Sequence, residues 1–267
     1  PLVGTADGKD IASGAKDTDN GKPGSEYNTA DNGMKPTRIT TAEGKVYELV
    51  PASTKGDETG TVESGQTKEV TYVYKEVKGN VVVHYTDEAG NKIAEDAKDT
   101  TDGSISTPYD TSDNGMKPER ITTPEGKVYQ LVPASTKGAE TGKVTEGTTE
   151  VTYVYKEVTG DVVVHYVDTE GNTIAADKDD LKGASLSEKY DTAVDNKPEK
   201  ITAEDGTVYY ITKAGLKDDS KPETGNVVEG KTDVTYVYEK AGSVIVNYQT
   251  EDGTPLTGTA DGKDIAS

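Results

Sequence analysis

Apolar residues in this chain come in short bursts that alternate with polar ones, and the alternation predicts strands. In "NVVVHYTD", Val81, Val83 and Tyr85 share one face, and Val82 and His84 share the other. A period of two is that of a strand, and the β-branched and aromatic content agrees with it. "EVTYVYKEV" behaves alike, with Val151, Tyr153 and Tyr155 on one side and Thr152 and Val154 on the other. Between these two bursts lie "DEAGNK", a turn by composition, and "KIAED", a candidate short second strand. "AKDTTDGSISTPYDTSDNGMKP" then reads as loop, with Tyr109 expected to anchor it to the core. "ERITT" and "KVYQLV" predict a hairpin around Pro124–Gly126, and "PASTKGAETGKVTEG" is a second connector. About five strands per unit follow. Helical spacing is nearly absent; only "DLKGASLSEKY" (residues 180–190) could hold one short turn.

The pattern recurs. "VTYVYKE" begins at Val70 and Val151 and "VTYVYEK" at Val234, steps of 81 and 83 residues. "GNVVVHY", "GDVVVHY" and "GSVIVNY" begin at Gly79, Gly160 and Gly242. Residues 34–60 and 116–142 differ at only four of 27 positions, which points to recent duplication. "PLTGTADGKDIAS" at 255–267 repeats "PLVGTADGKDIAS" at 1–13 with one change, giving a larger period of 254 residues. Together with the absence of an initiator Met, this suggests a piece of something longer. The expected organisation is repeat 1 at 1–77, lacking its first strand and carrying a long acidic loop; repeat 2 at 78–158; repeat 3 at 159–240; and the start of a further repeat at 241–267.

Composition narrows the chemistry. The 267 residues carry 49 acidic and 29 basic side chains, a formal net charge of −20, which disfavours nucleic acid as a partner. There is no Cys, Trp or Phe; all aromatic side chains are the 16 tyrosines. Thiol catalysis, thiolate metal sites and disulfides are therefore excluded. No apolar run reaches the ~18 residues of a membrane span, and direct membrane contact is not expected. The two histidines, His84 and His165, occupy equivalent positions where the next copy has Asn247, and they read as ordinary strand residues. "DTDNG" (17–21) resembles part of a calcium loop, but the twelfth position from Asp17 is Asn28, so a solvated acidic turn is expected. No metal, cofactor or catalytic group is assigned, and an enzyme is not expected.

The pattern resembles the mucin-binding-protein (MucBP-type) repeats of Gram-positive surface adhesins, and is similar to the high-identity tandem SHIRT repeats of streptococcal surface proteins. Gly79, Val81, Val83, Tyr85, Asp87, Gly90 and Ile93 carry the resemblance, followed by Tyr109, then Val128, Tyr129 and Leu131, then Val151 to Lys156. The third copy departs at Tyr210 and Thr212, and the partial copy at Asn247. The resemblance implies a mainly β unit, with an α+β, β-grasp-like form left open, in domains set end to end as an elongated rod. It implies a secreted, cell-wall-anchored protein whose repeats form a stalk that projects a distal binding domain. In the alternative reading, each repeat binds host mucin or another glycan and tandem copies give avidity. Partners are then host glycan and neighbouring repeats, with the chain itself a monomer. Exposed tyrosine pairs can stack on sugars, which makes Tyr72, Tyr74, Tyr153, Tyr155, Tyr236 and Tyr238 the candidate ligand contacts; core packing is their simpler use. Some stalk domains carry Lys–Asx isopeptide crosslinks, and Lys75 and Lys156 are available, though no motif fixes a pair. The resemblance also sets a domain edge between Val77 and Gly79, so that "VTYVYKEVKGNVVVHY" joins two domains instead of forming a hairpin.

Overall fold

The strand Lys78–Asp87 forms where alternation is strongest, and its alternate residues are enclosed, with Val81 and Val83 fully buried and Tyr85 nearly so. In the computed structural model, which describes residues 1–31 and 33–265, this strand lies at the heart of a five-stranded sheet. The order is Arg120–Thr122, Val128–Leu131, Gly147–Glu157, Lys78–Asp87, Ala97–Ser104. The opening strand Lys78–Asp87 and the closing strand Gly147–Glu157 run parallel, in register from Gly79 opposite Gly147 to Asp87 opposite Tyr155. All other neighbours are antiparallel. A separate two-stranded ladder, Pro108–Asp110 with Thr141–Lys143, covers one end of the core. Tyr109 sits in it, buried, and its hydroxyl donates to Ala139 O at 3.1 Å.

Two local expectations are corrected. "KIAED" makes only an isolated bridge, Thr86 with Lys92; the second strand is the later Ala97–Ser104. It is an edge strand with few apolar residues, so it carries no hydrophobic pattern, and its charges suit an exposed edge. Residues 180–190 hold no helical turn. They contain the end of the strand Thr173–Ser185 and the start of Lys189–Asp191, and the single short helix follows as Thr192–Asp195, capped by the Asp191 carboxylate accepting from Ala193 N. With that one turn and two short 3-10 turns among the described residues, the protein is nearly all-β.

The chain divides into two compact units, one of Pro1–Pro124 with Val128–Glu157 and the other of Glu125–Lys127 with Val158–Ser267. The first unit holds repeats 1 and 2. Repeat 1 has no opening strand, and the consequence is direct. Its closing strand shrinks to Tyr74–Glu76, against the eleven residues of Gly147–Glu157. Tyr74–Glu76 and Lys78–Asp87 belong to different sheets, so the stretch 70–85 is no hairpin. At the other edge of the repeat 1 sheet, the hairpin Val3–Ala6 with Lys9–Ala12 touches Arg38–Thr40 through one pair, Thr5 with Thr40. This hairpin lies in a segment the sequence reading leaves as acidic loop. Its two-residue turn, Asp7-Gly8, has φ of 50° and 77°, the left-handed geometry that Asp-Gly supplies.

The second unit holds repeat 3, with the same strand order: Thr173–Ser185, Thr159–Asp168, Gly230–Lys240, Val208–Leu216, Lys200–Thr202. Its opening and closing strands are again parallel, and Lys189–Asp191 pairs with Thr224–Asn226 as the covering ladder. Beyond it, residues 242–248 form no strand. The expected partial repeat also contains the hairpin Gly258–Ala260 with Lys263–Ile265; its last residues, 266 and 267, lie outside the described residues, as does Asn32 in repeat 1.

Candidate functional site

The six candidate tyrosines divide by repeat. Tyr153, Tyr155, Tyr236 and Tyr238 are 0% exposed, so none of these four rings presents a face to a sugar. Each closing strand turns its alternate side chains inward, and in a chain without Phe or Trp the tyrosines supply the bulk of the core. Tyr72 and Tyr74, in the repeat without an opening strand, are half-buried. Every hydroxyl is bonded. Tyr74, Tyr155 and Tyr238 donate to the carbonyls of Pro36, Pro118 and Pro198, each at 2.8 Å. Tyr72, Tyr153 and Tyr236 pair with the hydroxyls of Thr29, Thr111 and Thr192 at 2.8, 2.8 and 2.7 Å. Burial removes the phenolate from water and pushes the Tyr236 pKa up to about 12, and it raises Tyr155 and Tyr238 further. These are neutral pegs between the sheet and its covering loops.

A second constellation repeats around them and escaped the sequence reading. Lys35, Lys117 and Lys197 stand 5.5, 5.3 and 5.2 Å from the ring centroids of Tyr72, Tyr153 and Tyr236. Each lysine also pairs with a glutamate, Glu58, Glu140 or Glu223, at 2.8, 2.7 and 2.7 Å. The hydrogen bond from Lys197 holds the Glu223 carboxyl below its usual pKa. The signal was present in the sequence: Lys-Pro precedes the first hairpin and Glu-Thr-Gly precedes the closing connector in all three copies. The arrangement staples a loop over the tyrosine layer, with the lysine spent on a ring and a carboxylate.

The histidines lie on the opposite face. His165 Nδ1 is 2.8 Å from Asp177 on one neighbouring strand, and Nε2 is 2.8 Å from Asp233 on the other. Lys231 also pairs with Asp233, at 2.8 Å. His84 meets Asp96 at 3.1 Å and Glu150 at 4.0 Å. Burial opposes the His165 imidazolium, but the bonds to Asp233 and Asp177 outweigh it, and the pKa is raised above 6.5. A raised folded-state pKa makes the contribution complete below the unfolded value and lost as pH rises through the folded one. Repeat 3 is therefore expected to lose a small part of its stability between about pH 6.5 and the higher folded pKa. His165→Asn, the residue of the next copy, removes that dependence. Urea midpoints on both sides of this window check it, together with an NMR titration of the imidazole.

The remaining candidates carry little chemistry. Among the described residues there is no group of three or more His, Asp or Glu placed to hold a metal ion. In the acidic turn, Asp19 is engaged with Lys16 and Asp17 with the hydroxyl of Thr18. Lys75 and Lys156 are both exposed on their strands. The surface depressions over the Lys189–Asp191 and Thr224–Asn226 ladder, and beside Asn80 and Val82, are shallow.

Inside the first unit, the passage from repeat 1 to repeat 2 is tightly built. Val77 is the single residue between Tyr74–Glu76 and Lys78–Asp87; it is buried, and its N–H donates to Val46 O at 2.8 Å. Arg38 of repeat 1 forms a two-pronged pair with Glu146 of repeat 2, both bonds at 2.9 Å. That bond holds the Glu146 carboxyl below its ordinary pKa. Ser106 Oγ donates to Gly44 O at 3.3 Å beside it. Because the ion pair is exposed, its coupling is expected in low salt and screened out in high salt. Arg38→Ala and Glu146→Ala, singly and combined, followed by amide exchange at Val77, measure it.

Three matches to the MucBP domain family, at residues 4–75, 80–156 and 161–239, cover this architecture, and the chain belongs to that family. It is 39% identical over 265 residues to the muramidase-released protein of Streptococcus suis, a match covering 90% of this chain and 20% of that protein. It is 26% identical over 194 residues to internalin J of Listeria monocytogenes, covering 69% of this chain and 19% of that one. The chain thus spans about a fifth of the length of these relatives. Among solved structures, it is similar to SHIRT domains 3-4 from a cell surface protein, at 8% identity and TM-score 0.28, covering 61% of this chain and 98% of that chain. It is also similar to Mub-RV, at 15% identity and TM-score 0.21, covering 61% and 99%. The chain is a repeat region of the surface-protein type, built of tandem MucBP domains.

Proposed function

We propose that these repeats are the stalk of a Gram-positive, cell-wall-anchored adhesin, serving to hold a distal binding domain away from the cell. The observation that carries this reading is the parallel pairing of opening and closing strands. In such a unit the chain arrives at one end of the central strands and leaves at the other. Nine paired residues, at about 3.3 Å each, separate the two ends by roughly 30 Å. A closing strand can then feed the next opening strand with almost no linker, as across Val77. Repeat number sets reach, and near-identical copies let that number change by recombination. The role is mechanical and needs no catalytic group.

The rival reading, in which each repeat binds mucin glycan with avidity, is supported by the family to which the repeats belong. Four of its six candidate tyrosines are enclosed, which leaves it without the recurring aromatic platform it would use. Chains of one, two and three repeats on immobilised mucin and on a glycan array separate the two. Absence of binding at every length is expected of a stalk. Binding that strengthens steeply with repeat number would overturn it.

A further inference from the structure

We infer that repeat 1 is a strand acceptor, that residues 242–248 are its donor, and that copies of this chain therefore join head to tail. This goes beyond the stalk reading and departs from the monomer expected from the sequence.

The acceptor is formed apart from the missing strand. Tyr74 keeps its bond to Pro36 O, Tyr72 its bond to Thr29, and Lys35 its place over the Tyr72 ring, as in the complete repeats. On its inner side Thr71 bridges Lys55, as Thr152 bridges Lys137 in repeat 2. Tyr74–Glu76 ends the sheet, where in both complete repeats the closing strand has the opening strand as its parallel neighbour. The burial records the vacancy. Val62, Val70, Tyr72 and Tyr74 are only half-buried, whereas their counterparts Val144, Val151, Tyr153 and Tyr155 are 0–1% exposed.

The donor is the complementary half. "GSVIVNY" has the frame of the two opening strands, yet Val244, Ile245 and Val246 are 93%, 78% and 62% exposed. Such a run of exposed alternating apolar residues is a strand without a sheet. It stands directly ahead of "PLTGTADG", nearly the same residues with which repeat 1 begins, "PLVGTADG". Residues 242–249 carry no charge, so inserting them into an acidic protein adds no repulsion within the slot.

The register follows from the complete repeats, where Val83 faces Val151 and Tyr85 faces Tyr153, and Val164 faces Val234 and Tyr166 faces Tyr236. Val246 then faces Val70, Asn247 faces Thr71 and Tyr248 faces Tyr72. The Tyr248 hydroxyl reaches the Met34 carbonyl, the counterpart of the Met116 and Asn196 carbonyls that accept from Tyr85 and Tyr166. This is strand addition to an open edge. Because donor and acceptor are different surfaces, the contact is heterologous and produces chains or rings. With a net charge of −20 on each copy, association is stronger at high ionic strength.

The test is refolding of the whole chain from urea at low and high protein concentration, read by sedimentation velocity. The expected result is a ladder of multiples of 28.2 kDa that grows with concentration. Val246→Asp, in an exposed segment that supports neither complete repeat, is expected to abolish the ladder. Because the natural chain has no cysteine, Asn247→Cys combined with Thr71→Cys gives a second readout: oxidation after refolding links separate chains through these two positions. A single monomeric species at every concentration would overturn the inference. So would a ladder unchanged by Val246→Asp, or a crosslink formed only within one chain.

Discussion

Truncation of Tyr155 or Tyr238 to alanine is expected to cost about 3–5 kcal/mol and to unfold the repeat that carries it. Each ring is fully enclosed, and its hydroxyl caps the carbonyl of a proline at the start of the first hairpin. Tyr155 packs against Tyr85 at a centroid distance of 6.4 Å, and Tyr238 against Tyr166 at 6.2 Å, so removal strips the partner ring as well. A domain of this size has only roughly 5–15 kcal/mol in total, and with such sparse apolar content it sits toward the lower end. Phenylalanine at either position keeps the volume and loses only the hydrogen bond, for a cost of about 1 kcal/mol. Hydrogen exchange followed by peptide mass analysis reads the two substitutions separately. With alanine, protection is lost throughout the affected repeat; with phenylalanine, it falls without collapsing.

Gly160→Ala is expected to destabilise repeat 3 by about 1–3 kcal/mol, and Gly79→Ala to do the same in repeat 2. An added Cβ at Gly160 would overlap the backbone carbonyl oxygen of Val228 and lie 2.9 Å from Val227 Cγ1. At Gly79 it would overlap Thr145 O and lie 2.8 Å from Val144 Cγ1. The obstacle is backbone, which cannot rotate away, so the connector before the closing strand must move and the parallel pair separates at its first residues. Gly242 is the internal control. It holds the same place in the motif with open space around it, and Gly242→Ala is expected to leave the stability of the complete repeats unchanged. Urea midpoints for the three variants check this; equal effects at all three positions would remove the steric explanation.

The sequence displayed the strands that are half buried and hid those that are not. Lys78–Asp87 and Gly147–Glu157 advertise themselves by alternation because each buries one face. Arg120–Thr122 and Val128–Leu131 are marked by the Pro-Glu-Gly turn between them. Ala97–Ser104 has a single neighbour and a mostly polar make-up, and it passed for loop. The Val3–Ala6 hairpin was legible through Asp-Gly, and the same residues form the same hairpin at Gly258–Ala260 and Lys263–Ile265, so local turn chemistry suffices to make it. Parallel pairing of first and last strands was not legible, since nothing local distinguishes a parallel partner from an antiparallel one. The tyrosine pairs stood out in the sequence while their direction did not: in a strand, alternate positions share a face, but which face is inward depends on the loops that cover it. The lysine–glutamate staples were written as recurring Lys-Pro and Glu-Thr-Gly, 23 residues apart in repeat 2 and 26 in repeat 3, a separation that only the fold closes.

Small-angle scattering on chains of two, three and four repeats tests the central claim most directly. A stalk requires the maximum dimension to rise linearly, by roughly 30 Å for each added repeat, the length of the paired central strands. Increments that shrink with each added repeat, as in a folded-back or freely jointed chain, would contradict it.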